Sequence, residues 1–354
     1  MYKRQAYKYL FILENEKSNP ANINKTGNKE YIFTRRHDPV INSIGFNITQ
    51  GRLGNALYVT RKMANMYLQS NGLPINPQTW NYTKVDDEYK NRDNRMNNQL
   101  MVPGQTYWGT NGGRIDWSGD AAEIANASHR NFMPQTGTGY FPHKWCSERD
   151  GVPTGMEAYD FPVIRYAEVL LNYAEAKAEL GEFSETVWNA TVRLLRERAG
   201  VDGKMPDSYD PYMAGYFLNT VTDMALLEIR RERGIELLLE NCRWDDDMRW
   251  GMGKLLEQPW YGVYVGELGK VYDMDGDGTG DVCFVRESPS VSEPGVTYRV
   301  LGNDYTLTDG DSGYIECYIR MNRKWDDKKY VRPIPTTALN DNPALGQNPG
   351  WKTK

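Results

Sequence analysis

The chain has 354 residues, a quarter of them charged, and a formal net charge of −5. That length allows one large domain or two with an ample core, and the acidic balance, with no Lys/Arg cluster recurring along one face, gives no electrostatic case for nucleic acid or a polybasic membrane patch. No run of about eighteen apolar residues occurs, so no transmembrane helix is expected.

The first twenty residues are charged and Tyr-rich, with neither a long apolar stretch nor a small-residue cleavage site to mark a signal peptide. Residues 21–50 mix Asn and Gly with short apolar runs, YIFT and VINSIGF, that read as strands or loops. From Leu53 to Ser70 the spacing predicts a helix ending at Gly72, with Leu57, Met63, Met66 and Leu68 among its apolar positions.

Between Leu73 and Asp160 periodicity disappears and Asn, Gly, Trp and Tyr accumulate. A long irregular stretch inside a compact domain is usually functional or disordered, and the aromatic content favours function. A sugar presents an apolar C–H face and a rim of hydroxyls, so its site wants exposed rings beside Asn, Asp, Arg or Gln. Trp80 with Asn81 and Tyr82, Tyr107 and Trp108 with Asn111, and Trp117 with Asp116 fit that grammar. Packing in the core is the plain alternative for each ring.

The stretch from Phe161 to Glu182, FPVIRYAEVLLNYAEAKAELGE, predicts a helix with two apolar rows. One holds Ile164, Ala167, Leu171, Ala174 and Ala178, the other Val163, Tyr166, Leu170, Tyr173 and Leu180, so two packing neighbours are expected, with Gly181 as the stop. Further helices are expected around Glu185–Arg198, Thr222–Glu240 and Arg243–Leu256. After Pro259 the texture changes to short β-like runs that read as hairpins, and the Pro/Asn-punctuated end should lie extended over the surface. The expected architecture is mostly α, a TPR-like helical scaffold (α/α superhelix) with long irregular insertions and a few short β-hairpins.

Four cysteines, Cys146, Cys242, Cys283 and Cys317, show no CxxC spacing, so neither zinc nor a disulfide framework is expected. His37, His129 and His143 are scattered in polar stretches and read as surface residues. The segment Asp273–Asp281, DMDGDGTGD, places Asp273, Asp275, Asp277 and Asp281 at positions 1, 3, 5 and 9 of a calcium loop with Gly278 at position 6. Position 12 is Phe284, not the bidentate Glu, so the competing reading is an acidic turn closing a hairpin. Calcium is the one cofactor this sequence suggests, and none is required.

Three blocks, RYAEVLLNYAEAKAELG, LLEIRRERGIELLLENCRWDDDMRW and VRPIPTTALNDNPALGQNPGW, stand in an order that resembles the C-terminal half of the SusD/RagB family of outer-membrane nutrient-binding lipoproteins. The resemblance runs from about residue 161 to Trp351 and extends less clearly back to Gly54 through MYLQSNGLPI and NRDNRM. Gly234 departs from the polar residue expected in mid-helix, a cost of about 1 kcal/mol against Ala, and suggests a bend. On this reading residues 1–52 are a remnant of an N-terminal scaffold, 53–160 the ligand-bearing middle, and 161–354 the family's C-terminal region, helical over 161–256. Family members are usually longer, so a truncated chain is expected. The resemblance further implies a lipid-anchored protein on the outer face of the outer membrane, its anchor outside this chain, that serves a SusC-like TonB-dependent transporter.

Charges crowd the helical block, with Arg165, Glu168, Glu175, Arg233, Glu236, Arg243 and Asp247 foremost. Each carboxylate has an Arg nearby in the pattern, so these are read as braces between helices, not as catalytic groups. No GxSxG, HExxH, P-loop or GxGxxG motif occurs. The expected function is non-catalytic capture of oligosaccharide. A peptide ligand, an α-helical glycoside hydrolase using carboxylates among Asp93, Asp116, Asp120 and Glu123, and an intracellular helical adaptor are the rivals.

Overall fold

The computed structural model describes residues 6–15, 18–19, 22–45, 48, 58–77, 86–100, 138–140, 142–147, 157–273, 278–302 and 305–352. Among them the chain is mostly α-helical. Short elements precede the helical block, among them α1 (Ala6–Tyr9), β1 (Tyr31–Arg35), α2 (Arg61–Ala64) and α3 (Asn94–Gln99). The expected helix over 53–70 is therefore confined, within the described residues, to the single turn of α2, and Met66 and Leu68 are buried beyond its end. Here the backbone trades helix for tertiary bonds: Gln69 N–H donates to Leu73 O at 2.9 Å and Ser70 N–H to Asn91 O at 2.8 Å.

The residues expected to open the main helix instead form β2 (Phe161–Arg165), which pairs antiparallel with β1, Phe33 opposite Ile164. Pro162 has no N–H and disfavours helix in the residue before it, which suits a two-stranded edge. Helix α4 (Tyr166–Glu179) follows and stops as expected: Gly181 takes φ +69°, Glu182 N–H reaches Lys177 O at 2.8 Å and Gly181 N–H reaches Ala178 O at 3.0 Å. Both expected packing neighbours are present: Ala167, Leu171 and Ala174 of the first row and Leu170 of the second are buried in one cluster with Trp188 and Leu195 from segment 185–198 and with Ile229 from segment 224–236, while Tyr166, Tyr173 and Leu180 are exposed, as are Val163 and Ile164 on β2.

The helix expected over 185–198 breaks at Thr191 into α5 (Glu185–Ala190) and α6 (Val192–Arg198), because Thr191 sits at φ −130°, ψ −92° while its hydroxyl donates back to Val187 O at 2.6 Å. Helix α7 (Pro211–Tyr216) was not expected; Asp210 caps it by accepting from Tyr212 and Met213 N–H at 2.9 and 3.3 Å. Helix α8 (Met224–Glu236) runs through the centre, capped by Asp223, with every residue from Leu227 to Glu236 buried. At Gly234 an added Cβ would come within 2.8 Å of Met66 Cε, so its place in mid-helix is explained by close packing. Helix α9 (Cys242–Arg249) completes the block.

The C-terminal strands are β3 (Trp260–Val265), β4 (Val271–Tyr272), β5 (Val282–Val285), β6 (Thr297–Val300), β7 (Tyr305–Leu307) and β8 (Gly313–Cys317). They make two three-stranded sheets, β3–β8–β7 and β4–β5–β6, in which the expected hairpins are β4–β5 and β7–β8, both antiparallel; β3 pairs with the distant β8, and β5 with β6 is parallel. The end, expected to be extended, instead carries a last short helix, α10 (Thr336–Asp341), followed by a 3-10 turn over Pro343–Leu345.

Candidate functional site

Arg165, at the end of β2, is buried between β1 and α8. Its guanidinium donates to Glu236 at 2.7 Å, Glu240 at 2.6 Å and Glu30 at 3.1 Å. Glu236 is also bound by Arg95 at 2.8 Å and by Arg198, and Arg95 meets Glu232 at 2.5 Å and Asp93 at 2.7 Å. On the next turn of α8, Glu228 and Glu232 accept from Arg196, and Arg231 binds Asp210 and Glu228. Charges buried this deeply persist only when paired and hydrogen-bonded. Burial alone would push the Glu236 carboxyl up, but the guanidiniums of Arg198, Arg165 and Arg95 hold it well below the usual range.

At the edge of the block Glu175 receives two bonds from Arg249 at 2.7 and 2.6 Å and one from Trp250 Nε1 at 2.6 Å, while Arg233 forks onto Asp246 at 3.0 and 2.9 Å. Glu168 is the exception among the expected braces: it makes no ion pair among the described residues, and burial raises its pKa despite Arg233 and Arg165 nearby. Arg243 Nε lies 3.2 Å from Asp247 Oδ1, yet that oxygen is poorly aligned for a hydrogen bond. Burial therefore prevails there, and the Asp247 carboxyl is pushed up to about 6.

A raised carboxyl pKa means that the folded state binds the extra proton, so stability falls as pH rises between the ordinary Asp value, about 3.9, and about 6. Asp247→Asn is expected to abolish that slope. Melting temperature followed from pH 4 to pH 7 in both proteins measures it.

Arg95, Asp93, Glu30 and Lys144 complete the cluster and were not expected in it. Asp93, a candidate catalytic acid by sequence, is fully buried, caps α3 through Arg95 N–H at 2.8 Å and is ion-paired with Arg95, so it has no access to substrate. Asp116, Asp120 and Glu123 lie outside the described residues. The alternation of Asp93 and Arg95 in NRDNRM was the available signal, since an acid two residues before a base at a helix start can cap and pair at once.

Trp80, Asn81, Tyr82, Tyr107, Trp108, Asn111 and Trp117 all lie outside the described residues, as do Asp275 and Asp277 of the acidic loop. Asp273 accepts from Gly278 N–H at 2.8 Å, closing a turn, and Asp281 is buried. Among the described residues no group of three or more His, Cys, Asp or Glu is placed to hold a metal ion. His37 and His143 are buried at 7% and 2% exposure, correcting the surface reading; His143 N–H donates to Gln99 O at 2.7 Å. His129 lies outside the described residues. None of the four cysteines forms a disulfide among the described residues.

The positions from which the aromatic stretch departs are well anchored. Leu100 bridges to Pro142, Val59 N–H donates to Tyr140 O at 2.9 Å, and Tyr140 hydroxyl donates to Glu88 at 2.6 Å. Tyr140 and Trp145, two rings of that stretch, are core residues, and Trp145 Nε1 binds Leu239 O at 3.0 Å. A hollow of about 300 Å³ opens near β1 between Leu10, Tyr31 and Lys25, but the Lys25 ammonium is already taken by Asp160 at 2.8 Å, Ala158 O at 2.6 Å and His37 O.

The profile of the SusD family matches residues 12–351. The chain belongs to the SusD family. Among solved structures, it is similar to a SusD-like protein from Bacteroides fragilis at 20% identity and TM-score 0.59, covering 98% of this chain and 57% of that one. A SusD-like carbohydrate-binding protein from the same species matches at 21% identity and TM-score 0.57, with 95% of this chain and 58% of that one covered. No curated protein matches. The chain thus spans under two thirds of the length of these SusD-like proteins, and at such identities the likeness establishes the TPR-like helical fold. No helix among the described residues is long and apolar enough to cross a membrane.

Proposed function

We propose that this SusD-family chain captures oligosaccharide outside the outer membrane, without cleaving it, and passes it to a SusC-like TonB-dependent transporter. The observation that carries the reading is the pairing of the α8 carboxylates: Glu228, Glu232 and Glu236 each face two or more guanidiniums, and Glu228 and Glu236 are held ionised below the ordinary range. A glycosidase needs one carboxyl kept protonated near neutral pH and facing a cleft, whereas these act as fixed counter-ions inside the scaffold. Recognition then falls to the aromatic stretch, whose ends the scaffold anchors. Membership of the SusD family supports a glycan as the cargo.

The purified chain is expected to be retarded in native gels cast with one or more polysaccharides of a panel, with no reducing ends released on prolonged incubation. Release of reducing ends overturns the non-catalytic reading. Retention of a peptide mixture with none of the glycans replaces the cargo.

A further inference from the structure

A second cleft lies where the turn at residues 71–74 faces the loop at 202–211. We propose that it is a pyranose-binding subsite, in which one neutral sugar ring stacks on Tyr209; this rests on the glycan reading above and assigns part of the recognition to a place outside the aromatic stretch. Its volume, about 290 Å³, lies at the small end of ligand pockets (about 300–1,000 Å³) and suits one ring, not a chain.

The walls are set before any ligand arrives. Asp202 N–H donates to Ser70 O at 2.9 Å, Gln69 Nε2 donates to Pro74 O at 3.0 Å, and Gly72 takes φ +82° where a Cβ would stand 3.0 Å from Asp202 O. Across the gap, Asp210 is held by its cap on α7 and by Arg231. Rigid walls reduce the ordering cost of binding.

Tyr209 supplies the stacking face. Its hydroxyl is committed to Val221 O, which fixes the ring, yet the residue remains 40% exposed. Leu73, 56% exposed, adds apolar surface opposite. An immobilised, half-exposed ring is the surface to which the C–H face of a sugar adheres.

The rim offers hydroxyl partners. Asn71 Oδ1 accepts from Leu73 N–H and leaves its amide N–H groups to face solvent; Asp202 uses one carboxylate oxygen for Lys204 N–H and keeps the other; Ser208 is exposed. The cations around the cleft are already paired, Lys204 with Asp207 at 3.2 Å, and Arg231 with Asp210 and Glu228 at the floor. Among the described residues lining the cleft no unpaired cation is left to draw a uronate or sulfated ring, so a neutral pyranose fits best. Arg231 and Arg196 keep Glu228 ionised against the effect of burial, so the cleft has no proton to donate to a glycosidic oxygen.

Saturation-transfer NMR of the whole chain with the methyl pyranosides of glucose, galactose, mannose and xylose, and with methyl glucuronide, tests the assignment. At least one neutral pyranoside is expected to bind at millimolar strength, and methyl glucuronide more weakly. Tyr209→Phe should stay within threefold, since the ring is kept, while Tyr209→Ala should weaken binding at least tenfold. Ser208→Arg, at an exposed position, should block the cleft equally without disturbing the Tyr209 tether, and serves if Tyr209→Ala does not fold. Unchanged pyranoside binding in Tyr209→Ala or Ser208→Arg overturns the subsite and leaves the glycan reading standing. No pyranoside bound while polysaccharide gels still retard the protein has the same meaning; loss of gel retardation as well removes both.

Discussion

Glu236→Gln is expected to destabilise the protein by about 3–5 kcal/mol, the cost of removing one partner from a buried ion pair. The substitution keeps shape and one acceptor oxygen, but Arg95, Arg165 and Arg198, all buried, lose their shared counter-ion. Those guanidiniums cannot shed their protons, so the positive charge stays uncompensated in the core. The three arginines come from α3, β2 and α6, so Glu236 joins elements far apart in the chain, and a loss of cooperativity should accompany the loss of stability. Urea unfolding at neutral pH measures both, and a midpoint within experimental scatter of the native protein would overturn the brace assignment.

The same residue sets the response to acid. Its folded pKa is depressed, burial being outweighed by Arg198, Arg165 and Arg95, so between that value and the unfolded value near about 4.3 the unfolded chain binds more protons. Its stabilisation is complete above the unfolded value and is lost as pH falls through the folded one. The native protein should therefore lose stability steeply below about pH 4.3, and Glu236→Gln should flatten that limb. The sign is opposite to that at Asp247, whose raised pKa makes stability fall as pH rises.

Trp188→Ala should cost a similar amount, about 3–5 kcal/mol. Trp188 is 1% exposed on α5, packs against α4 in a cluster with Ala167, Leu171 and Val192, and donates from Nε1 to Gly203 O at 2.8 Å. Its loss leaves a cavity, an unpartnered carbonyl at Gly203, and Arg196 without the ring face that its guanidinium covers at 4.9 Å. Trp188→Phe separates the contributions: it retains most of the volume and forfeits the hydrogen bond, for about 1–3 kcal/mol. An alanine variant as stable as the phenylalanine variant would show that the site collapses around the gap.

Much of the helical block was legible because burial there follows period 3.6. Ala167, Leu171 and Ala174 face the core as spaced, and Gly181 ends α4 through its left-handed backbone. Pattern alone misread Phe161–Arg165, since a four-residue apolar run with Pro162 serves a strand or a helix equally and the pairing with β1 decides. It likewise joined α5 to α6, where one threonine turns the chain, and could not foresee that β3 bonds to β8 across the intervening strands. His37 and His143 went astray for a related reason: local polarity says little about whether a distant element covers a residue.

The sequence by itself determined the family, the helical class and the sign of the charges in the block, because motif order and residue type are local properties of the chain. Only the tertiary structure decided which charges meet. Arg95 and Glu236 are separated by over a hundred positions, and the Tyr209 cleft exists only because Ser70, at the foot of the turn at 71–74, is hydrogen-bonded to Asp202 in the loop after α6. Contacts between segments so far apart are selected by the closure of the whole chain, where an unpaired buried charge would cost more than any local preference returns.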